Sequence, residues 1–132
     1  DLDSESIPAY ERVRAQLQAA DAVLIVSPEH NRSMPAAVKN LLDIASRPAG
    51  KSLWGGKKTA VITASPGSYG GINSGLHIRQ SLQAMSADVM IAPEVFLSRA
   101  HTALADGQVS DARTAAFLNK FAAAFYAWAQ AE

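Results

Sequence analysis

Two short apolar runs constrain this chain more than anything else in it. Ala22-Val23-Leu24-Ile25-Val26 and Thr59-Ala60-Val61-Ile62-Thr63 are β-rich and do not alternate with polar residues. Such runs read as strands buried on both faces, the mark of a parallel sheet covered by helices. Each runs into a polar loop and then a helical period. The first is followed by Ser27-Pro28-Glu29-His30-Asn31 and by a helix over Pro35 to Ser46, with Val38, Leu41, Leu42 and Ala45 on one face. The second is followed by Ser65-Pro66-Gly67-Ser68-Tyr69-Gly70-Gly71 and by a helix from about Ile72 to Ala87, with Ile78, Leu82 and Met85 spaced i, i+4, i+7. Ligands of open parallel sheets bind beyond the carboxyl ends of the strands. The two loops are therefore the first places to look for function.

The remaining chain fits the same pattern. Pro8 to Ala20 reads as a helix, with Ser6 as N-cap and Pro8 in the first turn, where a missing N–H costs nothing. Trp54-Gly55-Gly56-Lys57 reads as a turn. Asp88 to Ala92 is a short third strand, extended by Val95-Phe96-Leu97 beyond Pro93. A loop with a turn at Asp106-Gly107 leads to a final helix from about Ser110, its expected N-cap, to Gln130. Phe117, Phe121, Phe125 and Trp128 are expected to form its core face. Strands alternating with helices imply right-handed parallel crossovers. The reading is a single α/β domain over residues 1–132. A helix placed before any strand, and a sheet of so few strands, imply that N-terminal strands of the fold are absent from this sequence.

Composition removes whole classes of function. The 132 residues have zero formal net charge, so no global field recruits nucleic acid or an anionic membrane. There is no Cys, which excludes disulfides, thiolate metal sites and a Cys nucleophile and fits a reducing cytoplasm. No apolar run approaches a membrane span. His30, His77 and His101 lack a metal-ligand spacing and read as surface or loop histidines. Ser65, His77 and Asp43 can be drawn as a hydrolase triad, but no G-x-S-x-G elbow supports one. Lys39, Lys57 and Lys58 read as solvated. Arg79 reads as a cofactor ligand, a dimer contact or a surface ion pair.

The second loop has the composition of a cradle. Gly67, Gly70 and Gly71 permit positive φ and close backbone approach, and Tyr69 offers an aromatic surface. The following helix adds partial positive charge at its N-terminus. The first loop is more specific. Ser27-Pro28-Glu29-His30-Asn31, then Ser33-Met34-Pro35-Ala36, Leu41, Asp43 and Ser46-Arg47-Pro48 resemble the signature of the NADPH-dependent FMN reductase family. Ser65, Gly67, Gly70, Gly71 and Ile78-Arg79 resemble its second motif.

That resemblance implies a flavodoxin-like three-layer α/β/α fold with a parallel sheet. It implies an FMN-dependent oxidoreductase that takes electrons from NADPH or NADH and passes them to quinones or other small oxidised acceptors. It places Pro28, Glu29, His30 and Asn31 beside the flavin, facing Ser65, Gly67, Ser68, Tyr69, Gly70 and Gly71. Asn31 would bond the ring or orient the loop, and Glu29 would brace the loop through backbone N–H groups. No acid–base catalytic residue is assigned, because the flavin carries the chemistry. A homodimer or homotetramer is implied, with no nucleic-acid or membrane partner.

Three residues depart from the family pattern. His30 stands for Tyr, Ala36 for Gly, and Ile44 for an aromatic. The family's first strand and its Gly-Ser-x-Arg-x-x-Ser phosphate loop have no counterpart in residues 1–132, so a chain beginning at Asp1 is expected to hold FMN weakly or not at all. The alternative reading is a non-enzymatic flavodoxin-like electron carrier or redox sensor.

Overall fold

The two apolar runs pair directly. In a computed structural model that describes residues 7–131, β1 (Ala22–Ser27) lies parallel to β2 (Lys58–Ala64), from Ala22 opposite Lys58 to Ser27 opposite Thr63. The third position in the sheet is one interrupted strand. β3 (Asp88–Val89) pairs with Lys58 and Thr59, and β4 (Val95–Leu97) pairs with Ile62, Thr63 and Ala64, both in parallel. Between the pairings, Met90 to Glu94 bulge out opposite Ala60 and Val61. The expected strand through Ala92 is therefore shorter, and Val95–Leu97 does continue it past Pro93.

Helices α1 (Pro8–Ala19), α2 (Ala36–Ser46) and α3 (Ile72–Ala84) cover one face, and α5 (Ala112–Gln130) covers the other. The first face is packed with Leu17, Ile25, Leu42, Val61, Ile78 and Leu82. Trp54, expected in a turn, is fully buried in this core, and its indole N–H donates to the Leu42 carbonyl at 3.0 Å. The second core is smaller, with Ala60, Met90 and Val95 against Phe121. The result is the three-layer α/β/α arrangement expected from the sequence.

The helix over α5 buries less than its aromatic stripe suggested. Phe121 is 3% exposed, Phe125 and Trp128 pack at its side, and Phe117 is 39% exposed. β1 departs from expectation for the same reason. Ile25 and Ser27 are buried, but Leu24 and Val26 on the opposite face are 40% and 63% exposed. α5 lies over β2 and the third strand, not over β1, so β1 is covered on one face among the described residues.

Helix ends account for most of the other differences. Ser6, the expected first N-cap, lies outside the described residues, and Ile7 holds that position. The N-cap of α5 is Asp111, not Ser110: the Asp111 carboxylate accepts from Thr114 N–H at 2.7 Å, while the Ser110 hydroxyl donates to the Ala103 carbonyl. Lys57 and Lys58 are not idle. Lys57 Nζ donates to the Ala20 carbonyl at the end of α1 (2.6 Å), and Lys58 Nζ donates to the Trp128 and Ala131 carbonyls at the end of α5. Arg14 does the same for α2, donating to the Ile44, Ala45 and Arg47 carbonyls. Cations at helix C-termini satisfy orphan carbonyls and oppose the helix dipole.

Past β4, a short helix α4 (Ala100–Ala103) and a hairpin of β5 (Leu104–Ala105) with β6 (Gln108–Val109) replace the expected loop. The turn does fall on Asp106-Gly107, both at positive φ. Among the described residues no helix is long and apolar enough to cross a membrane.

Two expectations follow. Hydrogen bonds from Thr114 hold the Asp111 carboxyl below the usual carboxylate range. A lowered folded-state value adds stability above the unfolded value, and that stability is lost as pH falls through the folded one. Asp111→Asn keeps a capping oxygen and is expected to flatten this acid limb in pH-dependent melts.

The second concerns glycine. A Cβ on Gly70 (φ +62) would lie 2.4 Å from the Phe96 carbonyl oxygen, whereas one on Gly67 would meet only Ser65 Oγ at 3.4 Å. Gly70→Ala should therefore cost about 2 kcal/mol or more. Gly67→Ala should change stability by no more than about 0.5 kcal/mol. Urea unfolding of the two variants measures both.

Candidate functional site

The carboxyl ends of β1, β2 and β4 lie on one edge of the sheet, so the loops that follow them are neighbours. The first loop is pinned by a tight turn. His30 N donates to Ser33 O at 2.9 Å and Ser33 N to His30 O at 3.0 Å, with Asn31 (φ 50) and Arg32 (φ 65) between them. Two central residues at positive φ between such a pair define a type I′ turn. Asn is well suited to this conformation and Arg is not. Asn31 thus orients the loop through its backbone.

Glu29 couples this loop to α3. Its Oε2 accepts from Asn73 N–H at 2.9 Å and Ser74 N–H at 3.2 Å, and Oε1 lies 3.5 Å from Asn73 Nδ2. A carboxylate here satisfies N–H groups the helix cannot satisfy itself and meets the positive end of its dipole. Glu29 braces the loop in the manner expected of it. The N-terminus of α3, however, is already taken, so it does not supply the charge for a ligand that the sequence suggested. Two further contacts add to the seam: Ser27 Oγ lies 3.5 Å from Ser74 Oγ, and Ser33 Oγ lies 2.9 Å from His77 Nδ1.

The second loop is held from below and from its far side. Thr63 Oγ1 donates to Gly70 O at 2.8 Å. Ser65 N donates to Leu97 O, Ala100 N to Ser65 O, and Arg99 N to Gly67 O at 2.9 Å. Gly67 N donates to Ser65 Oγ. These bonds use the polar backbone of Ser65 and Gly67. The N–H groups of Ser68 and Tyr69 have no partner among the described residues, and both residues are exposed.

The glycines divide in the same way. Gly70 and Gly71 are at positive φ and are buried, with Gly70 against Phe96 and Gly71 against Thr63. Their close approach is to the protein itself. Gly67 is exposed, and a Cβ there would touch only Ser65 Oγ, at 3.4 Å. A flat group carrying acceptors could settle there, over Gly67 and within reach of the Ser68 and Tyr69 N–H groups. The residues present thus fit one side of a flavin ring.

The loops meet at their tips. The Arg32 guanidinium lies over the Tyr69 ring, 5.8 Å from its centroid, and the ring is 70% exposed. Arg32 and Arg99 flank the second loop. Neither is marked by any local pattern, because their place depends on the turn and on the hydrogen bonds of the 97–100 segment.

Other candidates lie elsewhere. Ser65 Oγ bonds Gly67 N, His77 bonds Ser33, and Asp43 pairs with Lys39 at 2.6 Å, so the drawn hydrolase triad is not assembled. The described residues contain no cluster of three His, Asp or Glu suited to a metal. A surface cleft of about 590 Å³ is at the sheet edge by Leu76, Arg79, Ile91 and Glu94, away from the loops. Arg79 there donates to Met90 O at 2.8 Å and lies 3.9 Å from Glu94, tying down the interruption in the third strand.

A parallel sheet between helical layers, with long loops at the carboxyl ends of its strands, defines an open α/β protein. Residues 2–102 match the model of the NADPH-dependent FMN reductase family. A quinone reductase of Pseudomonas putida is 40% identical over 129 residues, which span 97% of this chain and 69% of that protein. A 2-hydroxy-1,4-benzoquinone reductase of Burkholderia sp. is 36% identical over 97% of this chain and 70% of its own. In structure, the chain is similar to FerB, a flavoenzyme NAD(P)H:(acceptor) oxidoreductase from Paracoccus denitrificans. The TM-score is 0.88 at 36% identity, covering 96% of this chain and 70% of that one. The chain belongs to the NADPH-dependent FMN reductase family.

The Glu29 contact can be tested directly. Glu29→Ala should cost about 1 kcal/mol, the value of a lost helix cap. Glu29→Gln, which keeps an acceptor oxygen, should recover most of it. Equal loss in both variants, measured by urea unfolding, would show that the helix contact is not the source.

Proposed function

We propose that this chain is an FMN-dependent NAD(P)H oxidoreductase that reduces quinones or similar small oxidised acceptors. The observation that carries the reading is the pair of loops joined tip to tip at the carboxyl edge of the sheet, on a chain 40% identical to a quinone reductase. Pro28, Glu29, His30 and Asn31 form one wall of the proposed flavin site. Ser65, Gly67, Ser68, Tyr69, Gly70 and Gly71 form the other.

Bound FMN would supply the redox chemistry, taking a hydride from the nicotinamide and returning electrons to the acceptor. The chain's part is positional. Glu29 fixes the spacing of the walls, Gly70 seats the second loop against β4 and Gly71 seats it against β2, and Gly67 leaves room for the ring. The free N–H groups of Ser68 and Tyr69 are placed to donate to ring acceptors, where negative charge on a reduced ring would strengthen the bonds. The exposed faces of His30 and Tyr69 suit a planar acceptor. A cytoplasmic homo-oligomer is part of the same proposal.

Protein reconstituted with excess FMN is expected to be yellow, to bleach anaerobically with NADPH or NADH, and to regain colour when benzoquinone is added. A yellow protein reduced only by a partner protein would instead be a carrier. A colourless protein that FMN cannot reconstitute would refute the reading. Gly67→Leu should fold normally yet retain less flavin. Full flavin absorbance in that variant would remove the second loop from the site.

A further inference from the structure

Arg32 stands at the mouth of the paired loops, and no carboxylate pairs with it among the described residues. Its backbone sits at φ 65, where glycine is the relaxed choice and a long side chain is not. Among the described residues its guanidinium is partnered by the exposed Tyr69 ring, and a cation over an aromatic face in solvent is a weak, exchangeable interaction. A phosphate is the better partner, because the guanidinium fork matches it with paired, charge-assisted hydrogen bonds.

The surroundings point to the same ligand. Arg99 is exposed, and its backbone N–H donates to Gly67 O at 2.9 Å, so this second arginine is anchored next to the second loop. The first loop's carboxylate, Glu29, is spent on α3. Arg32 thus stands at the mouth with no carboxylate partner among the described residues, on a chain of zero formal net charge. Of the two substrates in the proposed reaction, the nicotinamide dinucleotide carries phosphates and a quinone does not.

We propose that Arg32 is a specificity residue for the electron donor. It leaves the Tyr69 ring to bind a phosphate of the nicotinamide dinucleotide, and this bares the ring face for a planar group. The inference rests on the flavin-reductase reading of the site. FMN also carries a phosphate, and the experiment separates the two sources.

Arg32→Gly removes the guanidinium and suits the left-handed backbone, so the fold should survive, as a thermal melt will show. NADP⁺ and NAD⁺ binding are measured by calorimetry, and FMN and riboflavin binding by fluorescence quenching. Arg32→Gly should weaken dinucleotide binding about tenfold, the scale of one charge-assisted phosphate contact. The loss should appear in KM for NADPH more than in kcat. The wild-type advantage should shrink as salt rises. Arg32→Lys, which keeps the charge without the fork, should recover part of the affinity.

Unchanged binding of both dinucleotides would overturn the proposal. So would weaker FMN binding with riboflavin and the dinucleotides unaffected, because Arg32 would then serve the cofactor's phosphate. If the wild-type protein neither holds flavin nor oxidises NADPH, the reductase reading fails, and the NADP⁺ titration still decides the role of Arg32.

Discussion

The contact between Glu29 and the first turn of α3 sets the geometry of everything at the ligand edge. One carboxylate from the loop after β1 takes the N–H groups of Asn73 and Ser74, on the helix that begins where the loop after β2 ends. The two walls are thereby tied to a single rigid element. The same contact neutralises the helix terminus, which in many α/β proteins is itself the anion site. On the proposed reading, a ligand would then be held by N–H groups in the loop and by side chains at its tips. The positive charge placed there is that of Arg32, over the Tyr69 ring, and not that of the helix end.

The loop tips also hold the main departures from relaxed backbone. Asn31 and Arg32 are both left-handed, at a cost of roughly 1 kcal/mol or more for a residue such as Arg. The turn is held by two backbone bonds between His30 and Ser33, and its base by the Ser33–His77 contact. Strain kept in place by its surroundings is typical of functional loops. Here it directs a cationic side chain across the gap onto Tyr69, which a relaxed turn of the same length would not do.

The sheet, the helix order and the two loops were legible because local pattern specifies them: unbroken apolar runs, then Pro or Gly, then a helical period. What the sequence hid depends on partners far along the chain. Trp54 looks like part of a glycine turn, yet its ring fills the core beneath α2 and bonds Leu42. Lys57, Lys58 and Arg14 look like solvated charges, but each ends a helix that is remote in sequence or belongs to another layer. Leu24 and Val26 belong to a run that is apolar throughout, and nothing in the run itself shows that α5 would cover only the neighbouring strands. Asp111 rather than Ser110 caps α5 because Ser110 is drawn off by Ala103.

The candidate site shows how far a motif can be read. Pattern marked Gly67, Gly70 and Gly71 alike, but geometry gives them unlike tasks. β4 pairs with β2 so that Phe96 lies opposite Thr63, and this places the Phe96 carbonyl where a side chain on Gly70 would have to go. Thr63 then holds Gly70 from the strand side. Loop position is thus set by the register of the edge strand, across the interruption at Met90 to Glu94. Of the three, Gly67 alone lies clear of that packing, since a side chain there would meet only Ser65 Oγ at 3.4 Å. Gly70 and Gly71 are thus fixed by how the loop is seated, and Gly67 is the one that the proposed ring would need to be small.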